Sequence, residues 1–558
     1  MEKTRSWWGW GYEQSALSEA ERSSLASLLG ESFGADLRRT IPPAPEDLVL
    51  PAPRVVVPES LGAITRTDAR DRASHSFGKS YRDVIRAVRG EITHPPDAVM
   101  HPRTDQDVVD ILDWCSSAHV AAIPYGGGSS VVGGVEPLVG EGYAGVVSVD
   151  LGALDRVLEI DTTSRSARVQ AGVLGPSLED QLRVAGLTLR HFPQSFEVSS
   201  LGGWIATRAG GHFATLYTHI DDLVESVKVV APSGVVETRR LPGSGAGPSA
   251  DRLFIGSEGV LGIVTEAWVR LHARPLWRAQ ATASFAELSS GVQAARALSQ
   301  SGLFPSNCRL LDGREALIGG AGDGSSAVLL VAFESADHPL EPWIARAIEL
   351  CRDYGGIVEG PFYRSEPGHP THAFEAKSSS VPATGGMEHP GKGAAASWRR
   401  SFMRAPYVRD ALAISGVLSE TFETAITWER FFDLYARVNQ AVREAMEEVG
   451  AGSGWLTCRF THLYPDGPAP YFTVVAPARY GDELAQWQVI KEAASAAVLD
   501  AGGTITHHHA IGRDHRRFYD AQRPPLFGQA LAAVKAVLDP AGICNPGVLL
   551  DPQMPHSP

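Results

Sequence analysis

The chain has 558 residues, 44% hydrophobic and 20% charged, with 57 Gly and 37 Pro. This is globular composition rich in turns, and too much chain for one core, so two to four domains are expected. Against 64 acidic side chains stand 50 basic ones, a formal net charge of −14, which excludes nucleic acid as the main partner. Five scattered cysteines (Cys115, Cys308, Cys351, Cys458, Cys544) form no CxxC pair. They exclude a disulfide framework and a cysteine zinc site, and fit reduced thiols in the cytosol. With no signal-peptide pattern and no apolar run of membrane-spanning length, a cytoplasmic location is expected.

Residues 1–90 read as a polar and aromatic lead-in. Trp7, Trp8, Trp10 and Tyr12 crowd into six positions without a basic stripe, which predicts a tether onto the main body rather than a membrane anchor. Helical spacing covers 19–29 and Leu37, and 42–53 is a proline-rich extended linker. From 98 the pattern changes. A strand at 98–102 precedes a helix that Thr104 caps and that runs to about 117, and a buried strand follows at 120–123. Further strands at 145–151, 156–160 and 167–173 lead to a helix opening at Pro176 and ending near 185. Strands with interposed helices make an α+β domain over 91–275.

Three glycine-bearing segments interrupt this domain. The first is Pro124, Tyr125, Gly126, Gly127, Gly128, Ser129 and Ser130. Three glycines remove every Cβ from a turn, so amide N–H groups can form an anion nest for a pyrophosphate, with two hydroxyls as extra donors. The second runs Gln194, Ser195, Phe196, Glu197, Val198, Ser199, Ser200 into a Gly-Gly turn and on to Thr207, Arg208, Ala209 and Gly210. The third is Glu258, Gly259, Val260, Leu261, Gly262, Ile263 and Val264. Glycines every few residues beside apolar ones suit a backbone passing under a flat ring; each segment alone also fits ordinary turn chemistry. The chain has no Walker lysine and no GxGxxG opening a helix.

In order and spacing these segments resemble the FAD-binding domain of vanillyl-alcohol-oxidase type flavoproteins. Within that superfamily the chain resembles the alkyldihydroxyacetonephosphate synthase (alkylglycerone-phosphate synthase) family. The likeness extends through Cys-Arg-Leu-Leu-Asp at 308–312, Tyr-Val-Arg-Asp at 407–410, Glu-Thr-Phe-Glu-Thr at 420–424, Thr-Trp-Glu-Arg at 427–430 and Thr-Cys-Arg-Phe-Thr at 457–461. It continues through the triple histidine within 503–512 and Asp-Pro-Ala-Gly-Ile-Cys-Asn-Pro at 539–546. It covers roughly 90–550 and is weak over 360–400. It implies a two-part FAD-binding domain plus a sheet-and-helix substrate (cap) domain over 276–504, with 505–558 returning to the flavin side. Strands at 327–333 and 471–475 and amphipathic helices at 341–354, 431–449 and 484–501 fit that cap. Some members of the superfamily carry a histidine in the glycine loop that bonds to the flavin. Here Ser129 and Ser130 stand there, so non-covalent FAD is expected.

His507, His508 and His509 are the most unusual composition in the chain. Read as a strand they point to alternate faces, and no carboxylate or cysteine stands beside them, so no metal is expected and proton transfer is the better reading. By resemblance they match the family's essential histidine triplet. Arg409 reads from its neighbours as a partner of Asp410 or Glu420; the resemblance makes it the substrate-binding arginine, suited to a phosphate. Arg309 matches another arginine needed for activity, and Tyr471, otherwise an ordinary core tyrosine, matches the catalytic one.

The implied reaction exchanges the acyl group of acyl-dihydroxyacetone phosphate for a long-chain alcohol, with the flavin as covalent partner and no net redox change. The alternative is an FAD-dependent oxidoreductase of a 2-hydroxy acid or polyol, because fold alone does not choose between them. A homodimer is left open. Finally, 377–396 reads as a loop, and 397–407 mixes Trp398, Phe402, Met403 and Tyr407 with Arg399, Arg400 and Arg404. That mixture predicts a gate that touches membrane while the protein stays peripheral.

Overall fold

The computed structural model describes residues 3–365 and 394–551. Residues 120–123 have no exposed surface. A run buried on both faces reads as continuous apolar sequence, as parallel strands do. Val120–Tyr125 lies at the edge of a four-stranded sheet, in the order Thr65–Arg66, Ala98–Met100, Gly145–Asp150, Val120–Tyr125, with the last three parallel. The intervening helix, Asp105–Ala118, starts in a capping box between Thr104 and Asp107 and stops where His119 turns left-handed. A five-stranded antiparallel sheet orders Val157–Asp161, Ser166–Gln170, Ile263–Arg270, Val224–Ala231 and Gly234–Glu237. Ile123, Val147, Val229 and Leu261 belong to one core that joins the two sheets.

The second half is a seven-stranded antiparallel sheet. Its order is Ile357–Ser365, Trp277–Phe285, Ala327–Ser335, Asn307–Leu311, Trp455–Leu463, Pro468–Pro477, Val417–Glu423. Helices Leu288–Gln300, Glu341–Asp353, Phe431–Glu448 and Glu483–Asp500 bury their apolar stripes against it. Register places Glu423 opposite Tyr471, and Tyr471 opposite Arg459. Paired residues project to the same face, so three polar residues from separate strands form one row.

The C-terminus returns to the first half. Ala122 N–H donates to Ile543 O at 2.8 Å, and Asn545 N–H to Ala122 O at 3.0 Å. Buried Lys535, on helix Pro525–Leu538, donates to Val260 O (2.6 Å) and Cys544 O (2.7 Å) and pairs with Asp539. One ammonium thus fixes the third glycine segment and the C-terminal return together. At the other end of the chain, Trp7 and Trp10 are buried. Trp10 N–H donates to Asp410 Oδ2 at 2.6 Å, and a Cβ on Gly9 would lie 2.4 Å from that oxygen.

Three expectations change. The first helix, Glu19–Phe33, ends at left-handed Gly34, so Leu37 lies outside it. His507–His509 form bends, not a strand. The expected loop at 377–396 lies almost wholly outside the described residues, and 397–407 belongs to helix Ala394–Ile414. There Trp398 (4% exposed), Phe402 (8%) and Tyr407 (7%) face inward, so these rings are spent on the core and are not offered to a bilayer. Among the described residues no helix is long and apolar enough to cross a membrane.

Lys535→Met would leave the Asp539 carboxylate buried without its cation. Loss of one partner of such a pair costs about 3–5 kcal/mol. A matching fall in stability is expected in urea unfolding followed by tryptophan fluorescence; an unchanged midpoint would show that Lys535 is dispensable.

Candidate active site

A cleft runs between the two halves, with nine glycines among its lining residues. The strand Val120–Tyr125 delivers the glycine loop to its floor. A Cβ on Gly126 would lie 2.1 Å from Ser200 Oγ, and one on Gly127 would lie 1.7 Å from Val198 O. Gly128 has φ +66, and its Cβ would strike the Tyr125 ring. The loop and the Ser199–Ser200 turn therefore pack backbone to backbone, and only glycine fits. Ser130 Oγ accepts from Gly134 N–H at 3.0 Å, while Ser129 faces the cleft with no partner among the described residues. Asn545 donates to Gly134 O (3.0 Å) and Glu258 O (2.7 Å), leaving its Oδ1 buried, unpartnered and on the cleft wall. A long groove of glycines, free hydroxyls and an orphan acceptor fits FAD: amides for the pyrophosphate and flat backbone for the rings.

All seven residues of the first segment line the cleft, as do Gln194, Ser195, Ser199, Ser200, Thr207, Ala209, Gly210, Glu258, Gly259, Gly262, Ile263 and Val264. Six expected cofactor residues do not. Phe196, Val198, Val260 and Leu261 point into the core behind the turns. Glu197 turns outward to accept from the Tyr407 hydroxyl at 2.6 Å. Arg208 pairs with Asp221 at 2.8 Å and faces a second cavity. Glu258 lines the cleft, but its carboxylate is used to accept from Ile511 and Gly512 N–H, both at 2.8 Å. Burial raises that carboxyl to about 7.

At one end the cleft is lined by Arg409, Tyr471, His508 and His509, together with Trp10 and Pro406. The pairing of Arg409 with Asp410 or Glu420 does not form. Asp410 accepts from Trp10, and Glu420 pairs with Lys491 at 2.9 Å. Arg409 makes no hydrogen bond or ion pair among the described residues, nor does the Tyr471 hydroxyl make a hydrogen bond. Arg459 lies 3.9 Å over the Tyr471 ring, and that ring is 6.1 Å from His508 and 5.4 Å from His509.

Arg309 does not reach the cleft. It is 2% exposed on strand Asn307–Leu311, lying against the stacked rings of Trp398 (4.6 Å) and Phe402 (4.9 Å), with one bond to His212 O at 3.2 Å. Burial, with Arg459 nearby, pushes its guanidinium well below the ordinary range. It stacks under the helix that carries Arg409, away from the cleft.

The histidines are gathered by a residue that composition could not single out. Glu423, 2% exposed, accepts from the backbone N–H of His507 (2.6 Å), His508 and His509 (2.9 Å each), and from the Thr506 hydroxyl (2.6 Å). Burial works against its ionisation, but the imidazoles beside it, His508 first and then His509 and His507, hold the carboxyl well below the usual range. A carboxylate does stand beside the triplet, brought from another strand. His507 itself leaves the cleft for the second cavity, where it meets His219 and Tyr464. His462 completes the cluster, its Nε2–H donating to Gly211 O at 2.8 Å. Ring nitrogens of His462, His507 and His508 come within 4.8 Å of one another, but hydrogen bonds already occupy most of them.

The family described as FAD binding domain matches residues 96–239, and that described as FAD linked oxidases, C-terminal domain, matches 274–549. Alkyldihydroxyacetonephosphate synthase of Trypanosoma brucei brucei is 32% identical over 491 residues, 87% of this chain and 78% of its own. The synthase of the same name from Dictyostelium discoideum is 30% identical over 488 residues, again 87% and 78%. A solved structure of an alkyldihydroxyacetonephosphate synthase superposes with a TM-score of 0.77 at 24% identity, covering 97% of each chain. The expected α+β, FAD-binding fold and the FAD cofactor are borne out.

Gly127→Ala should block flavin loading. Purified variant is expected to be colourless where the unaltered protein is yellow, with circular dichroism unchanged; stoichiometric flavin in the variant would contradict the tight loop packing.

Proposed function

The chain belongs to the alkyldihydroxyacetonephosphate synthase family, and on that premise we propose how its cleft performs the reaction. The protein is an FAD-dependent alkylglycerone-phosphate synthase, exchanging the acyl group of acyl-dihydroxyacetone phosphate for a long-chain alcohol. One observation carries the residue assignment: a guanidinium and a phenol hydroxyl without hydrogen-bond partners among the described residues meet two imidazoles at one end of a glycine-walled cleft.

Arg409 holds the substrate phosphate. Its planar fork matches two phosphate oxygens, and no carboxylate of the described residues forms an ion pair or hydrogen bond with it. His508 and His509 sit beside Tyr471, and these three groups take and return protons as the acid leaves and the alcohol enters. FAD held along the glycine loop and the Ser199–Ser200 turn would supply nucleophilic catalysis without net redox, which would let acid departure and alcohol entry be separate steps. Trp10 and Pro406 close this end of the cleft, and Arg5 ties the N-terminal segment to Gly127 O at 2.7 Å, which excludes water from the reacting carbon. Ser129 and Ser130 offer no imidazole for a flavin bond, so the cofactor is held non-covalently.

Two outcomes test this reading. Anaerobic holoenzyme should incorporate labelled fatty alcohol into product without reducing an external acceptor; stoichiometric dye reduction would move the assignment to a dehydrogenase. Arg409→Lys should not restore the phosphate site, because an ammonium lacks the fork. A loss of about 2–4 kcal/mol in kcat/KM is expected. Full activity of the lysine variant would make Arg409 structural.

A further inference from the structure

Behind the histidine triplet lies a second cavity. Thr207 and Glu258 line both spaces and form part of the partition between them. His219, Tyr464 and His507 line only the second cavity, while His508 lines only the cleft. His508 Nδ1 and His507 Nδ1 are 3.0 Å apart. His507 Nε2 lies 2.9 Å from the Tyr464 hydroxyl and 3.0 Å from His219 Nε2, and those last two atoms are 2.8 Å apart. An unbroken hydrogen-bonded chain therefore crosses the partition.

The chemistry of its far end fixes the direction of every bond. His219 Nδ1 lies 3.2 Å from Arg208 O, and a carbonyl only accepts, so Nδ1 carries the proton. Desolvation, with His508 and Arg208 nearby and against the pull of Asp221, lowers the basicity of His219. Desolvation also holds His507 and His462 well below the usual imidazole range, against Glu423 in the case of His507. Neutral His219 thus presents a bare Nε2 that accepts from Tyr464 O–H. Tyr464 in turn accepts from His507 Nε2–H, which leaves His507 Nδ1 bare to accept from His508 Nδ1–H. Glu423 Oε2, 3.4 Å from His508 Nδ1, favours the same tautomer. The free base that remains is His508 Nε2.

We infer that His507, Tyr464 and His219 form a proton path that connects His508 in the cleft to solvent in the second cavity. The inference rests on the exchange reaction proposed above, which needs such a path. Replacing an ester's acyl group by an alcohol produces a carboxylic acid that ionises at neutral pH, so each turnover liberates one proton. His508 Nε2 takes the alcohol proton, and His508 Nδ1–H passes to His507 Nδ1. His507 Nε2–H passes to the Tyr464 oxygen, whose own proton moves to His219 Nε2 and then to cavity water. Each step breaks one N–H or O–H bond and forms another, with no change of oxidation state. Tyr464 and His219 act through His508 and are positioning residues, not groups that touch substrate.

The test uses holoenzyme with ¹⁵N-labelled histidine and the His219→Ala variant. Imidazole ¹⁵N shifts should show His508 as the Nδ1–H tautomer and His507 as the Nε2–H tautomer; the reverse assignment overturns the path. His219→Ala should lose roughly tenfold or more in kcat, with KM and flavin content unchanged. Free imidazole in the medium, entering the cavity vacated by the side chain, should restore most of it. Unchanged kcat, or a loss that imidazole does not relieve, overturns the path. If the unaltered protein shows no exchange activity the proposed function fails, whereas the tautomer assignment still decides the path by itself.

Discussion

The catalytic end of this protein depends on one buried carboxylate. Glu423 is removed from water, so its charge is tolerable only because four donors converge on it. Three of those donors are consecutive backbone amides, and a chain that turns three successive N–H groups toward one point cannot remain a strand. The bend at 507–509 follows, and with it the divergence of the imidazoles: two toward the cleft, one toward the cavity behind. Antiparallel register sets Glu423 beside Tyr471, so the same strand pairing that builds the sheet also brings phenol and imidazoles together.

Around that point the two halves divide the work by atom type. The N-terminal sheets present backbone, and the glycine loop is held so tightly against the Val198–Ser200 turn that a methyl group is excluded. The seven-stranded sheet and its helix Ala394–Ile414 present side chains. Their placement is secured from beneath, where Arg309 packs against the stacked Trp398 and Phe402. Asp410 takes its hydrogen bond from the N-terminal segment, which leaves the adjacent Arg409 without a protein anion. A cation that lines the cleft without an ion pair is what the proposed phosphate contact needs.

Local features were legible in the sequence and non-local ones were not. The capped helix after Thr104, the apolar run at 120–123 and the three glycines carry their signals within a few residues, and the structure places them there. The turn through 194–200 was read as one binding tract. Successive residues of a turn face different sides, so Phe196 and Val198 are buried behind it and Glu197 turns outward to Tyr407. Trp398 and Phe402 are spaced i, i+4 and do share one face, but sequence cannot say whether a bilayer or a core covers it; here it is the core. Glu423, His219 and Tyr464 had no local mark, because their meaning arises only when strand register and the return of the C-terminal segment bring them to the histidines.

The most direct test of this account is Glu423→Gln, measured as holoenzyme turnover with flavin content and crystal structure. The amide keeps the shape but removes the charge and turns an NH₂ toward donors. The account predicts full FAD occupancy, a displaced 506–509 bend and a loss of about a hundredfold or more in kcat. Unaltered turnover with the histidines in place would contradict it, and would show that the buried charge does not set the site.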